Sequence, residues 1–233
     1  LYRIAPIFST VLLVPGLALV AYGAYAGLFL APMDYQQGDA FRIIYVHVPA
    51  SWMSMFLYLV MAGWAAIGLI FNTRLSAMMA QSLAPTGAMF AFLSLWTGAF
   101  WGKPMWGTWW VWDARITSEL ILLFLYLGYM ALRSSIDDQR RADRASGILL
   151  LVGVVNIPII YYSVQWWNTL HQGATIRLNE ESTMDDTMFL AMMIMTFGFW
   201  AYSIAVAMSR VRSIILERER SASWVQRLVS GER

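Results

Sequence analysis

Long stretches of this chain carry no Asp, Glu, Lys or Arg: residues 43–73, 75–102, 145–176 and 187–209. A helix that crosses a membrane needs roughly 20 consecutive apolar residues, because the hydrocarbon core is about 30 Å thick. Within it every backbone N–H and C=O must be satisfied internally, so charge-free runs of that length read as spanning helices. Six fit, at about 7–30, 44–70, 83–100, 116–132, 147–164 and 188–208. Only 13% of the residues are charged, against about 25% in a soluble domain. The expected fold is therefore an all-α polytopic membrane protein with six transmembrane helices and a Trp-rich outer loop. Residues 1–209 form the membrane domain, with the Trp-rich segment at 101–113, and residues 210–233 form a basic cytoplasmic tail. The first apolar run is long enough to span and lacks a small-residue cleavage pattern, so no removable signal peptide is expected.

Charge placement orients the bundle. Arg3, Arg74, Arg133, Arg140, Arg141, Arg144, Arg210, Arg212, Arg218, Arg220, Arg227 and Arg233 fall on one side, and Arg42, Lys103, Arg115 and Arg177 on the other. The bias puts both termini in the cytoplasm. The tail reads as a helix lying on anionic lipid, or as a docking site for a cytoplasmic partner. No nucleic-acid partner is expected.

The outer face then collects every unusual residue. Between Trp101 and Asp113 the chain reads WGKPMWGTWWVWD, with Trp101, Trp106, Trp109, Trp110 and Trp112 in thirteen residues. An interfacial aromatic belt uses single Trp or Tyr residues at span ends. A run laced with Gly, Pro and Asp better suits a surface for a large planar ligand. His47 and His171 are the only histidines, and both fall on this face. With no cysteine in the chain, thiolate metal sites, disulfides and iron–sulfur clusters are excluded. Two neutral imidazoles suit the axial positions of a haem iron, whereas zinc or copper would ask for further ligands.

A porphyrin also carries two propionates, which forked guanidinium groups recognise. Arg42 and Arg115 are the candidates, with Lys103 and Arg177 weaker. For Arg115 the plain alternative is a pair with Glu119 at i,i+4. Gly102 and Gly107 would let the backbone lie flat against the ring, Pro104 would hold the loop extended, and Asp113 stands as a site residue that can also cap the fourth span.

The string WGKPMWGTWWVWD is similar to the tryptophan-rich WWD signature of haem-handling membrane proteins. With RIIYVHVPA, TSELILLFLY and GVVNIPIIYYSVQWWNTLHQG, the chain resembles the cytochrome c maturation protein C (haem exporter protein C) family over roughly residues 32–173. The resemblance implies a bacterial inner-membrane protein that holds haem b through His47 and His171 at the periplasmic face. It implies presentation of that haem to a periplasmic chaperone, cytochrome c maturation protein E, and association with proteins D, A and B. It also implies an assembly and transport factor with no catalytic residue. A membrane haem transporter and a b-type electron-transfer protein remain as alternatives. The latter would want histidine pairs in both leaflets, and a larger haem lyase would want more spans and more histidines.

Overall fold

The computed structural model describes residues 1–171 and 184–230. Among these residues the regular structure is helical: α1 (Ala5–Tyr25, continued by a π turn at Ala26–Leu30), a 3-10 turn (Asp39–Ile43), α2 (Ile44–Phe71), α3 (Arg74–Trp106), α4 (Ala114–Ser134), α5 (Gln139–Gly153), α6 (Asn156–Trp166), α7 (Asp186–Arg218) and α8 (Ser223–Ser230). Six helical segments are long and apolar enough to cross a membrane, as the charge-free runs require.

Local chemistry sets the ends. Asp113, Asp138 and Asp185 cap α4, α5 and α7, each accepting from a backbone N–H of the first turn, which replaces a missing intrahelical partner. α2 stops at Asn72 and α3 at Gly107, both left-handed with φ of 55° and 75°. α3 runs six residues beyond the end expected at residue 100, so the first half of the Trp-rich segment is helix rather than loop. Pro104 lies in that last turn and does not hold the chain extended. Lacking an N–H, it gives up the helical hydrogen bond to the carbonyl four residues earlier, at Phe100. The fifth span, expected as one helix, breaks between α5 and α6 at residues 154–155. Pro158 explains the break, since its ring opposes a helical carbonyl four residues earlier, at Val154. Asn156 at the break donates to Ser118 O of α4 at 2.9 Å.

α2, α3, α4 and α7 surround the core, in which Tyr58, Tyr126, Phe90, Met53, Met61 and Met195 are almost fully buried. Tyr126 lies across Gly87 of α3, where any side chain would overlap its ring, and donates to Ser54 O of α2 at 2.7 Å. α1 packs on α7 through Gly16, Gly23 and Gly198, where a Cβ would strike the facing backbone. Small residues let membrane helices approach closely where lipid gives no hydrophobic drive to associate.

One end of the bundle is bound together by charge. Asp143 of α5 meets Arg133 of α4 at 2.6 Å and Arg218 of α7 at 2.7 Å. Both termini as described meet here too, Arg212 donating to Tyr2 Oη at 3.2 Å. The tail boundary expected after residue 209 falls inside α7, which continues unbroken to Arg218. Arg210 donates to Thr86 Oγ1 and Ser82 O of α3, so this part of the tail packs on the bundle instead of on lipid.

Candidate functional site

The opposite end opens into a cleft built from the start of α2, the last turns of α3, the first turns of α4 and the segment after α6. Gln37, His47, Ser51, Ser94, Gly98, Trp101, Trp106, Trp109, Trp110, Arg115, Glu119 and His171 all line it.

His47 is the fixed point. It is buried on the first turn of α2, and its Nδ1 lies 3.0 Å from Ser94 O and 3.0 Å from Thr97 Oγ1 of α3. The Thr97 hydroxyl donates its own hydrogen to Leu93 O at 2.6 Å, so both groups facing Nδ1 act as acceptors. Nδ1 therefore carries the ring proton, and Nε2 keeps its lone pair. Metal-binding histidines are commonly oriented this way, by an N–H bond from the other nitrogen to a carbonyl. Gly98 makes the fit possible: a Cβ there would stand 3.0 Å from His47 Cε1.

His171 faces it, the two ring centres 6.1 Å apart with planes inclined by 34°. It rides on the non-helical segment 167–171, which is tied down by Leu170 N–H donating to Asp113 Oδ2 at 3.3 Å. The other oxygen, Asp113 Oδ1, accepts from Ile116 N–H at 2.9 Å. One carboxylate thus starts α4 and holds the approach to His171.

The tryptophans divide by role. Trp101 is buried, donates to Gln37 Oε1 at 2.8 Å and stands edge-on to His47 at 5.6 Å, a wall for the imidazole. Trp106, Trp109 and Trp110 line the cleft. Trp112 is 74% exposed and stays outside it, touching Trp110 edge-on at 5.3 Å. The ring pairs Phe100–Trp109 and Trp110–Trp112 are near perpendicular, at 83° and 75°. The quadrupole of each ring favours that packing over coplanarity. Gly107 ends α3 with a left-handed turn, and Gly102 lets Thr108 O fold back against the helix.

Among the cations, Arg115 lines the cleft and donates to Ile160 O of α6 at 2.8 Å. Its expected alternative partner, Glu119, accepts instead from Ser54 Oγ at 2.8 Å, and Glu119 Oε2 is buried with no hydrogen-bond partner. Arg42 is held away from the cleft lining by Gly27 O, Ala31 O and Asp39. It ties the end of the first span to the start of the second. Lys103 donates to Gly107 O at 3.1 Å, closing the α3 terminus. Arg177 lies outside the described residues.

Gln37, Ser51, Ser94, Gly98 and Glu119 are among the cleft residues that the sequence did not single out as ligand contacts. Among the described residues no group of three or more His, Asp or Glu gathers as a metal-ion site. The cleft offers a lone imidazole pair, a guanidinium and indole walls, a donor set that suits one metal already held in a macrocycle.

Residues 1–226 match the family model described as "Heme exporter protein C". The chain is 48% identical over 229 residues to heme exporter protein C of Escherichia coli (strain K12), covering 98% of this chain and 92% of that one. It is 46% identical to the protein of the same name in Haemophilus influenzae, over 97% of this chain and 90% of the relative. It is also 47% identical over 183 residues to a putative cytochrome c biosynthesis ccmC-like mitochondrial protein of Marchantia polymorpha, covering 78% of this chain and 75% of that one. With six helices able to span a membrane and a histidine cleft at one end of the bundle, the chain belongs to the heme exporter protein C family, whose role is haem handling in cytochrome c maturation.

Proposed function

We propose that this chain holds haem b at the periplasmic face of the bacterial inner membrane, with His47 and His171 as the two axial ligands, and presents it to a periplasmic acceptor. The observation that carries the reading is the histidine pair. An iron bonded to two imidazole nitrogens at about 2 Å each sets the ring centres about 6 Å apart, and these rings stand 6.1 Å apart. The Nε2 lone pair of His47, left open by the Nδ1 bond, supplies the first ligand. Arg115 reaches a propionate from the α4 side of the cleft. Trp106, Trp109 and Trp110 pack on the porphyrin faces and rim.

The cleft opens at one end of the bundle, and its lining residues Trp106 and Trp109 are 37% and 52% exposed, which supports presentation rather than storage. The chain's own groups bind and orient the cargo, and none is assigned to bond making, so we read it as an assembly and transport factor. The acceptor is the haem chaperone, protein E, and proteins D, A and B complete the assembly. The positive-charge bias and the shared location of the two termini support an arrangement with both ends in the cytoplasm and the cleft outside.

Purified protein should show a low-spin absorbance spectrum with two nitrogen ligands, and the His47→Ala, His171→Ala double variant should lose the haem. Full retention by that variant, with its helical content intact, would overturn the ligand assignment.

A further inference from the structure

At the end of the bundle opposite the histidines, α2 gives way to α3 through Asn72, and α5 begins alongside. Between them lies a second cavity, of about 450 Å³. Arg74 of α3 and Arg140 and Arg144 of α5 line it. None of these guanidinium groups has an ion pair or side-chain hydrogen bond among the described residues. Asp143, the carboxylate in the lining, is already bound by Arg133 and Arg218. Three exposed arginines therefore line one cavity without a counter-ion among the described residues, a cluster of like charge that an anion would neutralise.

Two further features narrow the anion. The cavity lies where spanning helices end, at the depth of the headgroup layer. Part of its lining is apolar: Leu69, Ile70 and Leu150 form wall, and Ile70 is 72% exposed. Free phosphate needs the arginines but not that flank. A phospholipid uses both, the phosphate accepting forked bonds from arginine and an acyl chain covering Ile70. Basic pockets between membrane helices are general headgroup sites.

We infer that this cavity binds the phosphate of an anionic membrane lipid, with Arg74, Arg140 and Arg144 as its cationic wall and an acyl chain lying along Ile70. The site is separate from the histidine cleft and does not depend on what the cleft carries.

The test is native mass spectrometry of the full chain in detergent doped with phosphatidylglycerol, phosphatidylcholine or inorganic phosphate, alongside thermal melts. Wild type should retain one phosphatidylglycerol and melt several degrees higher with it. The Arg74→Gln, Arg140→Gln, Arg144→Gln triple variant should lose retention at least tenfold. Arg141→Gln, which removes an exposed arginine outside the cavity, should retain the lipid fully. If the triple variant fails to fold, the single changes Arg74→Gln and Arg144→Gln should each lower retention about threefold. Equal retention of phosphatidylcholine, equal protection by inorganic phosphate alone, or undiminished retention in the arginine variants would each overturn the assignment.

Discussion

The Asp143 cluster at one end of this bundle and the histidine cleft at the other handle polar groups in opposite ways. At the terminal end, Asp143 is shared by two arginines from two other helices, and Arg218 reaches further to Gln81 of α3. Every partner is another side chain of the protein, and the result ties four helices together. At the cleft end, two polar side chains keep something in reserve. His47 is anchored through one nitrogen and presents the other. Glu119 bonds through one oxygen and leaves the second without a partner. The difference separates structural from functional polarity: a group placed for stability is fully satisfied internally, whereas a group placed for a ligand is satisfied by half.

That contrast can be broken experimentally, and the largest effect belongs to the terminal end. Asp143→Ala leaves Arg133 and Arg218 unpaired with side chains only 8% and 9% exposed, which should cost about 3 kcal/mol. Membrane abundance and melting temperature should fall, while the protein that does fold binds haem normally. If the haem spectrum is lost first, the two ends are not separable. Gly98→Val should do the reverse. Its Cβ would stand 3.0 Å from His47 Cε1, so the ring must shift, and haem affinity should drop about tenfold, near 1.4 kcal/mol. Its melting temperature should stay close to wild type.

Asp113 sharpens the comparison because its two oxygens do different jobs. Asp113→Ala loses the α4 cap, about 1 kcal/mol, together with the acceptor for Leu170 N–H. Asp113→Asn keeps an oxygen for the cap but places an amide opposite Leu170 N–H. It should therefore keep its stability and lower haem retention severalfold. Equal stability losses for both variants, with unchanged haem, would reduce Asp113 to a cap. The smallest effect is expected at Trp112. It is 74% exposed and outside the cleft, so Trp112→Ala should alter stability by less than about 0.5 kcal/mol and leave haem retention unchanged. Trp106→Ala, measured beside it, should reduce retention.

Much of this molecule was legible in the sequence, for a physical reason. The bilayer forbids unsatisfied backbone, so the charge-free runs near residues 44–70 and 188–208 had to be helices. The two histidines and the Trp-rich segment stood out by rarity alone. What stayed hidden depends on contacts between distant parts of the chain. Ser94 O and Thr97 carry no ligand signature, and their meaning appears only when α3 lies beside His47. Arg42 looked like a propionate partner from its spacing to His47, yet the π turn at Ala26–Leu30 brings Gly27 O and Ala31 O to its guanidinium first. Pro104 read as holding a loop extended and Gly107 as backbone lying flat against a ring, whereas Pro104 is helical and Gly107 ends the helix. Proline near a C-terminus removes one bond, whereas a left-handed glycine reverses the chain.

The unequal support of the two histidines sets an order of events for any cargo held between them. His47 is seated on a rigid helix against a second helix, with its orientation fixed at two atoms. His171 rides on irregular backbone, where Leu170 N–H donates to a carboxylate oxygen of Asp113. Backbone outside a helix shifts at lower energy than a helix wedged against another. For a cargo held as we propose, departure is then biased toward the side of the segment 167–171, which is where an acceptor would meet it.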